Sequence, residues 1–204
     1  PRGARQSPQG SAMSVRRPLR RLRREAGYTL IEMLTVLVIM GVVTASLTTL
    51  FVQASNAESD MNNRFQAQLT ARLALDKMRR EVHCASVATP TGVSSSVTLT
   101  VPSYCKTGGG SVTWCTRIVS TNRYALYRVA GSTCTGGVMW ADYLTPSSGA
   151  AVCSGALCIF NYVPQSLSSL ATLKVDLPVN VKPSKTVELY ELAGDIVLRN
   201  STRS

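Results

Sequence analysis

Twenty consecutive residues, Met33 to Val52, carry no formal charge, and no other stretch limits the chain as much. As an α-helix this run is about 30 Å long, the thickness of the hydrocarbon layer of a bilayer. Eleven of its residues are Leu, Ile, Val or Phe. At roughly −0.3 to −0.6 kcal/mol each, they contribute about −3 to −7 kcal/mol towards insertion. Glu32 stands at the amino-terminal edge of the run. A carboxylate at the centre of a span costs about +2.5 to +3.5 kcal/mol on the same scale, and less near an end, so insertion wins. The acid still needs a partner, and an ionisable group kept inside a span is a functional hypothesis by default.

Charge is unevenly placed. The 204 residues carry a net +11, of which residues 1 to 27, with eight arginines and one glutamate, hold +7. The arginines between Arg16 and Arg24 stop just short of Gly27, and the expected effect is to hold the amino end in the cytoplasm and send the carboxyl end outward. No aromatic residues interleave them and no nucleic-acid motif accompanies them, so nucleic acid is permitted as a partner but not indicated. Met13 is a candidate translation start. Two plainer readings compete. One is a secretory signal peptide cut near Val52-Gln53-Ala54, but an apolar core of about 7 to 15 residues is usual there, and Glu32 has no role in it. The other is a simple single-span anchor.

Gly27-Tyr28-Thr29-Leu30-Ile31-Glu32, with arginines before it and an apolar helix after it, resembles the processing site of type IV prepilins and of the pseudopilins of type II secretion. The resemblance implies cleavage by prepilin peptidase between Gly27 and Tyr28 and N-methylation of Tyr28, a position where phenylalanine is commoner. It implies that Glu32 pairs with the terminal amine of a neighbouring pilin or pseudopilin subunit during assembly. The physical sense is general: a carboxylate and an ammonium, each costly in lipid, become tolerable together.

Beyond the span, Met61, Phe65, Leu69 and Leu73 recur every fourth residue and Met78 and Val82 continue near the same stripe, so the helix is predicted to run from about Thr29 to Ala85, with this stripe buried against the following domain. Thr89-Pro90-Thr91-Gly92 ends it. No proline lies between Tyr28 and Thr89, a departure from classical pilins that leans towards a minor subunit. The remainder is strand-like: Ser96 to Val101, Val112 to Ser120, Tyr124 to Ala130, Val138 to Leu144, Leu157 to Val163, Leu173 to Val181 and Thr186 to Leu198 are rich in Val, Thr, Tyr and Ile. Thr121-Asn122 suggests a hairpin, and Lys106 to Ser111 and Thr145 to Ala151 read as loops. The close, Glu188 to Asn200, resembles the final strand of J-type minor pseudopilins, which often ends Leu-Arg-Asn. The expected fold is α+β and pilin-like, a long amino-terminal helix packed on a carboxyl-terminal antiparallel sheet. The expected segments are a cleaved leader (1–27), a transmembrane and assembly helix (28–52), its amphipathic continuation (53–86) and a disulfide-rich head (87–204).

Cys84, Cys105, Cys115, Cys134, Cys153 and Cys158 all follow the span, and an even count on the outer side predicts up to three disulfides. Nearness in sequence suggests Cys105 with Cys115 and Cys153 with Cys158, leaving Cys84 with Cys134. Zinc is the rival, helped by His83, but no CxxC pair is present. No catalytic motif is found: there is no Gly-x-Ser-x-Gly, no HExxH and no phosphate-binding glycine loop. Gly108 to Gly110 and Gly136-Gly137 read as loop glycines, and Asp142, Asp176 and Asp195 as surface acids. No cofactor, metal or enzymatic activity is expected. The expected place is the bacterial inner membrane, with one span and an outer head that joins a filament. A filament-tip module for DNA uptake or adhesion and an exported protein with a cleaved signal are the alternatives.

Overall fold

A computed structural model describes residues 27–105, 109–185 and 188–201, so the basic stretch before Gly27 lies outside the described residues. The chain divides into two compact units, Pro1–Phe51 and Val52–Ser204. One helix, α1 (Leu30–Cys84), is followed by β1 (Val87–Thr89), β2 (Gly92–Ser94), β3 (Ser96–Val101), β4 (Gly110–Ser120), β5 (Arg123–Ala130) and β6 (Val138–Leu144). Then come β7 (Val152–Cys153), β8 (Ala156–Leu157), β9 (Phe160–Val163), β10 (Thr172–Val179) and β11 (Tyr190–Val197). The architecture is α+β: a long apolar amino-terminal helix and a carboxyl-terminal antiparallel sheet.

In the second unit the main sheet runs β1-β3-β4-β5-β6-β10-β9-β2, and β11 pairs with β10. The β4–β5 hairpin turns at Thr121-Asn122 with Ser120 opposite Arg123. Asn122 takes φ 56° there, a left-handed conformation that asparagine tolerates better than most residues. Strand β10 is shared. It pairs with β11 along its whole length, with β9 over Thr172 to Val175, and with β6 only at Val179. Pro178 sits between these last two pairings and opposite Glu191, where its missing N–H interrupts no ladder.

The core is closed by α1. Leu75, Met78 and Val82 are buried among Leu99, Trp114, Leu126, Phe160, Leu173 and Ile196. The stripe expected to face this core does not: Met61, Phe65, Leu69 and Leu73 are 40 to 69% exposed, while Ala67, Ala71 and Ala74 are buried. At about 100° per residue, Phe65 and Leu69 lie about 160–200° round the helix from Ala67. The continuation of α1 therefore has two opposed apolar faces. The sheet takes the face made of small residues, because alanine lets a strand approach the helix axis closely, and the bulky face is left outside. Met78 and Val82 belong to the buried face.

Other boundaries shift for local reasons. Between Ser86 and Ser95, where only a terminator was expected, β1 and β2 flank a cis Thr89–Pro90 bond. β4 begins at Gly110, inside the expected loop, opposite Val101. The single strand expected over Leu157 to Val163 is two: Leu157 O accepts from Thr116 Oγ1 at 2.6 Å, β8 pairs with β7, and the chain re-enters the main sheet at Phe160. The last strand starts at Tyr190; the expected start at Thr186 lies outside the described residues, and Glu188, before the strand, is ion-paired to Arg64 at 2.8 Å.

Candidate functional site

The sequence points to the start of α1. Gly27, Tyr28 and Thr29 have no regular structure, and the helix begins at Leu30. Thr29 caps it. Its carbonyl accepts from Glu32 N at 3.0 Å and Met33 N at 3.2 Å, and its Oγ1 accepts from Glu32 N at 3.3 Å. Thr29 and Glu32 thus occupy the first and last places of a capping box, Thr-x-x-Glu. That spacing is readable in the sequence, where the same glutamate also stands as the one charge at the edge of the apolar run. A carboxylate in the first turn also meets the positive end of the helix dipole favourably. Among the described residues the Glu32 carboxylate makes no ion pair. Tyr28 is 72% exposed, and a side chain built at Gly27 would meet nothing within 4 Å.

From Leu30 to Phe51 every residue is exposed, an apolar surface no part of this unit covers. Helix length and composition in this region suffice to cross a membrane. The threonine hydroxyls on it are internally satisfied: Thr35 donates to Glu32 O at 2.8 Å, Thr44 to Met40 O at 2.7 Å, Thr48 to Thr44 O at 2.7 Å and Thr49 to Ser46 O at 2.8 Å. In a medium without water this is how hydroxyl groups are accommodated on a helix. Gly41 has open space around it, so another helix could approach closely there.

The remaining candidate residues lie in the second unit. All six cysteines are paired, but two of the expected pairs are exchanged: Cys84 joins Cys105 and Cys115 joins Cys134, with Cα separations of 6.3 and 6.1 Å, while Cys153 joins Cys158 at 5.8 Å. Nearness in sequence misled because Cys115 is in β4 opposite Tyr127, and Cys105 is brought to the end of α1. His83 donates from Nδ1 to Val197 O at 2.9 Å, tying α1 to β11. Among the described residues no group of three or more His, Cys, Asp or Glu side chains is arranged to hold a metal. Asp142 pairs with Arg123, holding that guanidinium's pKa above its ordinary value. Asp176 is pushed up by burial first, and then by Glu191 and Asp195.

The polar centre of the second unit was missed. Glu81, which the sequence reading did not single out, is fully buried. Trp114 Nε1 donates to its Oε2 at 2.9 Å, Arg128 Nε to its Oε1 at 2.8 Å, and Lys77 Nζ lies 3.3 Å from the same oxygen. Its only sequence signal is its place three residues after Met78 and one before Val82 on the alanine face.

Comparison with known proteins locates a match at the start of α1. A family model described as the prokaryotic N-terminal methylation motif matches residues 22–48. No curated protein and no solved structure matches the chain. The motif supports a processed, type IV prepilin-like subunit that is cut by prepilin peptidase and assembles with other pilin subunits. With the apolar helix it fits single-pass membrane anchoring.

Proposed function

We propose that this chain is a minor pilin or pseudopilin, a structural subunit of a type II secretion pseudopilus or a type IV pilus. One observation carries the reading: the methylation motif over residues 22–48 falls in register with a helix capped at Thr29 and a Glu32 that has no ion-pair partner among the described residues. In this reading residues 1–27 are the leader and the bond between Gly27 and Tyr28 is cut. Tyr28 becomes the methylated amino terminus. Open space around Gly27 means that no packing among the described residues demands glycine; the demand comes from the peptidase. Glu32 then neutralises the terminal amine of the next subunit, because an acid without a partner in lipid costs several kcal/mol.

Residues 28–52 cross the inner membrane, 53–86 continue the helix, and 87–204 form the head on the outer side. The bulky face of Met61, Phe65, Leu69 and Leu73 supports assembly, since it is apolar, uncovered, and opposite the face that the head occupies. The proline-free helix and the final Leu198-Arg199-Asn200 after β11 favour a minor, J-like position over a major one.

Mass spectrometry of protein purified from bacterial membranes tests the reading. The expected amino terminus is Tyr28, heavier by one methyl group; a start at Ser55 overturns it. Gly27→Val should accumulate the uncut precursor, whereas Glu32→Ala should be cut normally but recovered from sheared filaments at a small fraction of the wild-type amount. Normal incorporation of Glu32→Ala removes the charge-pairing step.

A further inference from the structure

Strand β11 is paired on one side only. Its neighbour β10 runs beside it from Val179↔Tyr190 to Thr172↔Val197, and among the described residues no strand lies along the other edge. The direction of its backbone groups follows from its bonds. Leu198 N donates to Ala171 O at 2.9 Å, so Leu198 faces β10. In an antiparallel ladder, alternate residues turn both groups the same way. Ile196, Gly194, Leu192 and Tyr190 therefore face β10, and Val197, Asp195, Ala193 and Glu191 face away. Bonds on the far edge of β10 agree: Asp176 N donates to Ile159 O at 2.9 Å and Pro178 O accepts from Thr145 N at 3.0 Å, so the partners of Ala193 and Glu191 also turn away from β11. His83 occupies Val197 O. What remains open is a register of three residues, Glu191, Ala193 and Asp195, each exposed and each presenting an N–H and a C=O outward.

The surroundings are polarised. On the face away from α1, Glu191 and Asp195 flank Ala193, and Asp176 stands directly opposite Ala193 on β10. Among the described residues none of these three acids makes an ion pair, and Lys174 is the cation acting on Asp176. On the face towards α1, a cleft of about 300 Å3 lies between helix and strand, lined by Leu75 and Leu192 and by the charged Arg72, Asp76 and Arg79, with Arg72 donating to Tyr190 Oη at 2.9 Å along its side. A strand laid along this edge would have one row of side chains over the acids and the other over the cleft. A second copy of β11 does not fit: antiparallel pairing centred on Ala193 would set Glu191 against Asp195 twice, and like charges directly opposed are destabilising.

We propose that the free edge of β11 from Glu191 to Asp195 is a docking site for an extended segment of another polypeptide, added as an antiparallel strand with Lys or Arg on alternate residues and uncharged side chains between them. Main-chain hydrogen bonds supply attachment and the alternating side chains supply selection, as in strand addition generally. The inference does not depend on the filament reading, because it concerns a surface of the isolated chain.

The test uses the full-length protein in detergent micelles and two fluorescent peptides of the length of β11, one alternating Lys with Val and one alternating Glu with Val, followed by fluorescence anisotropy. Saturable binding of the Lys–Val peptide and none of the Glu–Val peptide is expected. Ala193→Pro removes an outward N–H that β10 does not use, so it should leave the circular dichroism unchanged and weaken binding about tenfold or more. Glu191→Lys combined with Asp195→Lys should reverse the preference between the peptides. Equal binding of both peptides, no binding of either, or undiminished affinity in folded Ala193→Pro overturns the proposal. If Ala193→Pro does not fold, the charge-reversed protein decides, and failure to reverse the preference is fatal.

Discussion

Glu81 shows how one side chain can organise a sheet against a helix. A buried carboxylate is tolerable only when donors surround it, and Trp114, Arg128 and Lys77 come from β4, β5 and the preceding turn of α1 to do so. Glu81→Ala would leave two partly buried cations without their anion, and should lower stability by about 2–4 kcal/mol in urea unfolding. Asp176 is the opposite case. Burial and then Glu191 and Asp195 raise its folded pKa, so at neutral pH its charged form opposes folding. Asp176→Asn should therefore raise the melting temperature at pH 7. As pH falls below the ordinary carboxylate value of about 3.9, Asp176 is protonated in both states, and the gain should vanish. A gain that is constant across this range would remove the electrostatic cause. Neither residue declares its role in the sequence; only the donors around them separate a stabilising acid from a strained one.

The helix α1 is apolar along its first part and apolar on two sides along its second. Its start, end and length were legible, because a run without proline, bounded by Thr29 and by Cys84 before the Pro90 turn, leaves little choice. The choice of face was not legible. Periodicity reports where bulky apolar residues recur, and Met61, Phe65, Leu69 and Leu73 recur more visibly than Ala67, Ala71 and Ala74, yet the sheet takes the alanines. Substitutions separate the two faces. Ala71→Leu forces extra atoms between helix and sheet and should cost about 1–3 kcal/mol by thermal unfolding. Phe65→Ser should change stability by less than about 0.5 kcal/mol while reducing recovery in filaments. If Phe65→Ser unfolds the head, the outer face is not free. Among the strands, β3 and β6 were read residue for residue, since β-branched runs bounded by turns mark them. β1 and β2, three residues each, are too short to show any period.

At the level of the whole chain, the second unit is a sheet closed by one face of a helix and stitched by three disulfides. Cys84–Cys105 anchors the end of α1 to the segment after β3 across 21 positions; replacing both cysteines by serine should cost about 3 kcal/mol and make melting of the head insensitive to reduction at that bridge. A melting temperature equal to the wild type would show that packing and the His83–Val197 and Asn200–Cys84 hydrogen bonds suffice to hold the helix end. The amino-terminal motif, the capable span, the α+β class and most of the strands are properties of the sequence by itself, because each depends on residues near one another in the chain: charge beside apolarity, cap before helix, turn between β-branched runs. Which cysteines meet, which face of α1 the sheet covers, which acid is buried among cations and which strand keeps an open edge were decided only by the tertiary structure, because each depends on residues far apart in sequence that pack together only once the sheet has closed on the helix.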